Sequence, residues 1–210
     1  ASAAANAEPL KEIGHVRVTT PLCKALLVNA SLAVRDAGLG DARIAAVDHD
    51  LRTTDYDSSE LGRNRGVLEL MKEESELHAA ANAGRAEMKD FAALAKTAAP
   101  ERQTAFVRLE QALDGALGRQ QQWADTLTRL ITYLQANPRI DQIQQMQNED
   151  AAISNGEGPY LHGLHPPYGL PTPLTITAKT AADRLAPDTA KIAHDEDTAS
   201  DRIDPAFSHC

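Results

Sequence analysis

The chain has 210 residues, enough for one domain or for one domain with an extension. Charged residues make up 24% and apolar residues 42% of the sequence, which excludes a highly charged disordered chain and a membrane protein. The net charge of −9 argues against nucleic acid as the main partner, because phosphate binding needs a positive surface. No apolar run approaches the roughly 20 residues that a transmembrane segment needs.

The chain opens on small residues, Ala-Ser-Ala-Ala-Ala-Asn-Ala, a composition typical of the region around a signal-peptidase site. Removal of an initiator methionine alone is the other explanation. We expect an extracytoplasmic protein (periplasmic, secreted or surface-bound) from which a signal peptide has been removed.

The two cysteines, Cys23 and Cys210, lie near opposite ends of the chain. This placement favours a disulfide that brings the C-terminus back to the first helix, as expected in an oxidising compartment. A buried thiol at 23 with a free terminal thiol is one alternative, and an intermolecular disulfide is another.

Residues 1–19 are predicted to form an N-terminal arm. Within it, residues 13–19 alternate apolar and polar side chains, which is typical of a short strand. Residues 174–177 alternate in the same way, so the two segments could pair as a minor two-stranded β element that brings the chain ends together.

Thr20 and Pro21 predict the start of the first helix, since threonine is a good N-cap and proline is tolerated at the first helical position. Gly38-Leu39-Gly40 predicts its end, with glycine supplying a left-handed cap. Asp41 is then placed to cap a shorter helix that reaches Leu51.

A long helical hairpin is the strongest pattern in the chain. Apolar residues recur at alternating spacings of three and four from Val67 to Ala98, and again from Phe106 to Leu134. This is the spacing of a coiled-coil seam, and Pro100 between the two segments predicts the turn. Apolar residues beside the seam require a third helix, for which the first helix is the candidate. Glu74 falls on the predicted seam, where a carboxylate that sets register or reaches solvent is favoured over a ligand.

Residues 139–153 predict a further, glutamine-rich helix, and the composition then changes. Nine of the 19 residues in 155–173 are glycine or proline, which excludes regular structure. The predicted fold is therefore mainly α: an antiparallel hairpin within a three- to four-helix bundle over residues 20–153. A long irregular extension follows over 154–210, and its composition predicts that it is ordered by docking on a partner.

Two kinds of binding site are predicted in this part of the chain. Aromatic and leucine side chains suited to anchor a protein partner are Tyr160, Leu161, Leu164, Tyr168 and Leu170. His162 and His165 have a spacing that can chelate a metal if another ligand is supplied, and the acidic stretch 48–60 offers hard oxygen ligands. Loop histidines bonded to backbone and a solvated acidic loop are the favoured explanations of the same patterns.

No motif of nucleophilic, phosphate-binding or zinc-dependent catalysis occurs in the sequence, and no cofactor is expected. We therefore predict a non-enzymatic structural or interaction subunit of an extracytoplasmic or particle-like multiprotein assembly. Its partners would be other protein subunits or copies of itself. The alternative is a helical module that binds a metal or small ligand through His162 and His165 or through the acidic stretch 48–60.

Overall fold

The computed structural model describes Leu10 and residues 13–154 and 172–210. These residues are mainly helical, as predicted. A short 3-10 turn at Ile13–His15 precedes five α-helices: α1 (Pro21–Thr53), α2 (Glu60–Ala95), α3 (Pro100–Ala136), α4 (Ile140–Ser154) and α5 (Leu174–Phe207). None of these helices combines the length and the apolar character needed to cross a membrane.

The four long helices α1, α2, α3 and α5 form a bundle with up-down-up-down topology. α2 and α3 are the predicted hairpin, and Pro100 occupies the first turn of α3, where its missing N–H costs no helical hydrogen bond. α1 packs along α2, as the apolar residues beside the seam required. α5 fills the remaining side of the bundle, in contact with α3 and α1.

α1 begins where predicted but continues through the predicted stop at residues 38–40, as far as Thr53. At its start, the Thr20 hydroxyl accepts a hydrogen bond from the backbone N–H of Cys23. Gly40 is a site of close approach to α3, because a Cβ built there would lie within 2.8 Å of the Gln120 Nε2. Its glycine therefore serves packing between helices, and the predicted cap at this position is wrong.

The predicted strands at 13–19 and 174–177 are also wrong. Residues 13–15 form the 3-10 turn, and residues 174–177 are the first turn of α5. The prediction of an irregular extension fails over Leu174–Phe207, because buried residues recur along α5 at helical spacing. Many of them are alanine, and Pro187 lies inside the helix, so the segment lacks the usual signs of a core helix.

The core consists of two apolar clusters, one in each half of the bundle. In the half that contains the disulfide, the ring of Phe106 meets those of Phe91 and Phe207 edge-on, with centroids 5.8 and 5.6 Å apart. The other half contains Trp123 and Tyr56. On α3 and α5, the buried polar side chains of Gln120 and Glu196 lie between these two clusters and divide the core.

Candidate functional site

The predicted partner contacts and the predicted histidine pair all lie outside the described residues. This applies to Tyr160, Leu161, Leu164, Tyr168 and Leu170, and to His162 and His165. Both sites remain predictions, and the described residues on either side of 155–171 give their structural setting.

Asp57, in the connection between α1 and α2, fixes the starts of two helices. Its Oδ1 accepts hydrogen bonds from the backbone N–H of Ile140 at 3.2 Å and of Leu174 at 3.1 Å. Its Oδ2 accepts from the N–H of Thr175 at 2.8 Å. Free N–H groups at a helix start favour a carboxylate, both as acceptor and as negative charge. The chain therefore leaves the bundle at residue 140 and returns at residue 174, and both points are held by one carboxylate oxygen.

Two other carboxylates of this acidic stretch are also engaged within the fold. Asp48 accepts hydrogen bonds from Arg52 at 3.0 and 3.1 Å, and the Asp55 carboxylate accepts from the N–H groups of Asp57 and Ser58. The bond from the Asp57 N–H is the main cause that lowers the pKa of Asp55. Across the part of the chain that the structure describes, no three Asp, Glu, His or Cys residues are grouped as a metal site would require.

The start of α1 and the segment that follows α5 meet at the cysteine pair. Cys23 and Cys210 form a disulfide with their Cα atoms 5.8 Å apart. Around it, the backbone N–H groups of Thr19 and Thr20 donate to the Cys210 carbonyl at 3.3 Å, and Arg102 donates to the Ser208 carbonyl. The start of α1 and the C-terminal Cys210 are thus brought together, as expected, but by the end of α5 and not by a β pair.

A groove of about 520 Å³ runs between α3 and α5 and reaches Thr172, the first described residue after the 155–171 segment. Its walls combine apolar, aromatic and basic side chains, including Leu130, Tyr133, Leu185, Arg129 and Arg184. Tyr133 is 42% exposed. The groove therefore offers a mixed contact surface at the point where the chain returns to the bundle.

A buried polar cluster, which the sequence analysis missed, joins α1, α3 and α5 midway along the bundle. Gln120 is fully buried, and its Nε2 lies 2.9 Å from the Ala37 carbonyl, 3.0 Å from Asp41 Oδ1 and 3.2 Å from Glu196 Oε1. Burial, and then the hydrogen bond to Asp41, raise the pKa of Glu196 to about 10. Burial also raises the pKa of Asp41. A glutamine on the seam at 120 was the only visible sign of this cluster.

Two further carboxyl pairs link α1 to α2. Burial and the neighbouring Asp50 raise the pKa of Glu73 to about 8, and burial and Asp36 raise the pKa of Glu87 to about 7. Glu74, which was placed on the seam, lies at its edge and accepts a hydrogen bond from the Thr128 hydroxyl at 2.7 Å. The more deeply buried carboxylate is its neighbour Glu73, which faces α1 and not α3.

Comparison with known proteins gives no relative for this chain: no protein-family model, curated protein or solved structure matches it.

Proposed function

We propose that the chain is a non-enzymatic structural subunit of an extracytoplasmic or particle-like multiprotein assembly, and that it binds a partner subunit through residues 155–171. The bundle is the rigid support in this proposal. The contact residues are the aromatic and leucine side chains of the segment: Tyr160, Leu161, Leu164, Tyr168 and Leu170. The partner is another protein subunit or a second copy of the chain.

The observation that carries the proposal is the pair of hydrogen bonds at Asp57 Oδ1. They hold the backbone at residues 140 and 174 to one oxygen atom, so that the chain leaves the bundle and returns to it at the same place. Long connections between helices of a compact bundle are uncommon, and those with closely held ends are often functional. Proteins commonly carry their binding residues on loops that a rigid scaffold positions.

The surface beside the returning chain supports the same proposal. Tyr133 and Ile176 are 42% and 50% exposed, and the groove between α3 and α5 begins at Thr172. Aromatic side chains next to arginine are enriched where proteins bind one another. A partner held by 155–171 would therefore meet a suitable second surface on the bundle itself.

The proposed contact involves residues 155–171, a shorter segment than the 154–210 extension for which the sequence alone suggested docking. Residues 174–207 already pack on α1 and α3 within the chain, so their order needs no partner. The extracytoplasmic location is supported by the Cys23–Cys210 disulfide, because such bonds persist in oxidising compartments.

In-cell photo-crosslinking tests the proposal. A photoreactive amino acid would replace Tyr160 in one variant and Tyr168 in another, in the organism that makes the protein. We expect both positions to crosslink to one and the same protein.

Leu68 is the matched control, since it is 63% exposed on α2. The same photoreactive residue at 68 should give no crosslink to that protein. Absence of a crosslinked product from 160 and 168, or an equal yield from position 68, would contradict the proposed contact.

A further inference from the structure

The polar cluster of Asp41, Gln120 and Glu196 separates the two apolar halves of the core. On α5, Ile192 belongs to one half and Ala199 to the other, with Glu196 between them. Glu196 is 1% exposed, and both its Oε2 and the Gln120 Oε1 are buried without a hydrogen-bond partner. A buried carboxyl group in this position needs a specific compensation for its charge.

The charges around Glu196 offer no such compensation. Asp41 from α1 and Asp197 on α5 itself are both acidic, and the group that α3 contributes is the neutral amide of Gln120. Arg119 of α3 is engaged at the surface with Asp195, 2.6 Å away. The groups that shift the pKa of Glu196 come from α1, α3 and α5, and none of them belongs to α2.

One amide group reaches both carboxyl groups, which confines Asp41 Oδ1 and Glu196 Oε1 to the same small volume. Two ionised carboxylates there would repel one another in a medium of low dielectric constant. A single shared proton removes the repulsion and supplies the missing donor between the two acids.

We propose that the Asp41–Gln120–Glu196 cluster is a proton-dependent switch that holds α5 on the bundle. With one proton shared between Asp41 and Glu196, α5 stays packed on α1 and α3. When that proton is lost, the two charges repel and α5 is loosened from both helices.

The direction of the pH dependence follows from the pKa of Glu196. Its pKa in the folded protein, about 10, lies above its ordinary value of 4.5. The stabilisation is therefore fully present below about pH 4.5 and is lost as the pH rises through about 10. Between these limits the Asp41–Glu196 site holds one proton more in the folded chain than in the unfolded chain.

Denaturant unfolding of the full, disulfide-bonded chain from pH 5.5 to 8.5 tests the proposal. Trp123, the single tryptophan, is a suitable probe because its Nε1 donates to the Thr189 hydroxyl of α5 at 3.2 Å. One extra proton in the folded state raises the unfolding equilibrium constant about tenfold per pH unit. The Glu196→Gln variant lacks this proton. We therefore expect its unfolding equilibrium constant to rise about tenfold less per pH unit than that of the wild type.

Asp201→Asn removes an exposed charge from the same helix and should keep the wild-type slope. The pairs at Glu73 and Glu87 contribute equally to all variants, so they cancel in the comparison. Parallel profiles for the wild type and Glu196→Gln would overturn the proposal. The proposal would also be overturned if millimolar Ca²⁺ or Mg²⁺ raised the free energy of unfolding of the wild type at pH 8.5 to its value at pH 5.5. A cation would then be the compensating group.

If Glu196→Gln does not fold, Asp41→Asn removes the other acid and should flatten the profile in the same way. The wild type alone also provides a test. Its Trp123 emission maximum should shift to the red between pH 7 and pH 10.5 as α5 separates from α3, and an unchanged maximum across this range would overturn the proposal.

Discussion

At position 40 of α1, the lack of a side chain allows Gln120 of α3 to approach the helix backbone. Gly38, two residues earlier, is exposed and has nothing within 4 Å of the place where a Cβ would lie. The same residue type thus has two different roles in one turn of helix. From the sequence alone, both glycines are predicted to end the helix. The difference between them depends on a contact with Gln120, about 80 positions away along the chain.

These two glycines make a matched pair for mutation. Gly40→Ala should reduce the free energy of unfolding by up to about 2 kcal/mol, because overpacking costs about 1–3 kcal/mol and the gain in helix propensity offsets only about 1 kcal/mol. Gly38→Ala should increase it by up to about 1 kcal/mol. Chemical denaturation of both variants checks this. A Gly40→Ala variant as stable as Gly38→Ala would contradict the close packing of Gln120.

At the scale of helices, the sequence correctly predicts those features whose signals lie within one helix or a few neighbouring residues. The seam of α2 and α3 was visible because large apolar residues repeat along each helix, and Pro100 marked the turn. The start of α1 was visible because Thr20 and Pro21 form a cap within four residues. Each of these predictions is confirmed.

α5 was missed because its evidence is not local. Its buried face is rich in alanine, which fits only between helices that are already close together, and Pro187 lies within the helix. The start of α5 has no cap in its own sequence, since its first N–H groups are bonded to Asp57, more than 110 residues earlier. The polar cluster was missed for the same reason, because its members come from three separate helices.

The role of Asp57 gives a prediction at this scale. Asp57→Ala should lower the free energy of unfolding by roughly 1–4 kcal/mol, because it removes the cap of two helices and each cap contributes about 0.5–2 kcal/mol. Asp57→Asn keeps one side-chain oxygen acceptor and should lose less. The measurement is chemical denaturation, combined with hydrogen exchange of the amides at 140 and 174–175.

Two outcomes would contradict this role of Asp57. One is an Asp57→Ala variant with wild-type stability. The other is loss of stability without faster exchange at these three amides, which would place the effect of the substitution elsewhere.

At the scale of the whole molecule, the chain is closed on itself. The C-terminal helix completes the bundle, Phe207 packs against Phe106, and the Cys23–Cys210 disulfide ties the end of α5 to the start of α1. In the chain-entropy description, closing a loop this long removes roughly 5 kcal/mol of unfolded-state entropy. The formal charge of −9 counts every carboxyl group as ionised, whereas burial raises the pKa of Glu196 to about 10 and that of Glu73 to about 8.

The central claim is that α1, α2, α3 and α5 form one bundle without help from a partner. Hydrogen exchange of the isolated, oxidised chain near neutral pH tests it most directly. We predict that buried amides of α5 between 178 and 203 are protected to a degree comparable with those of α3. Exchange of this segment at the rate of an unstructured peptide, alongside a protected α2–α3 hairpin, would contradict the claim and make α5 a tail that requires a partner.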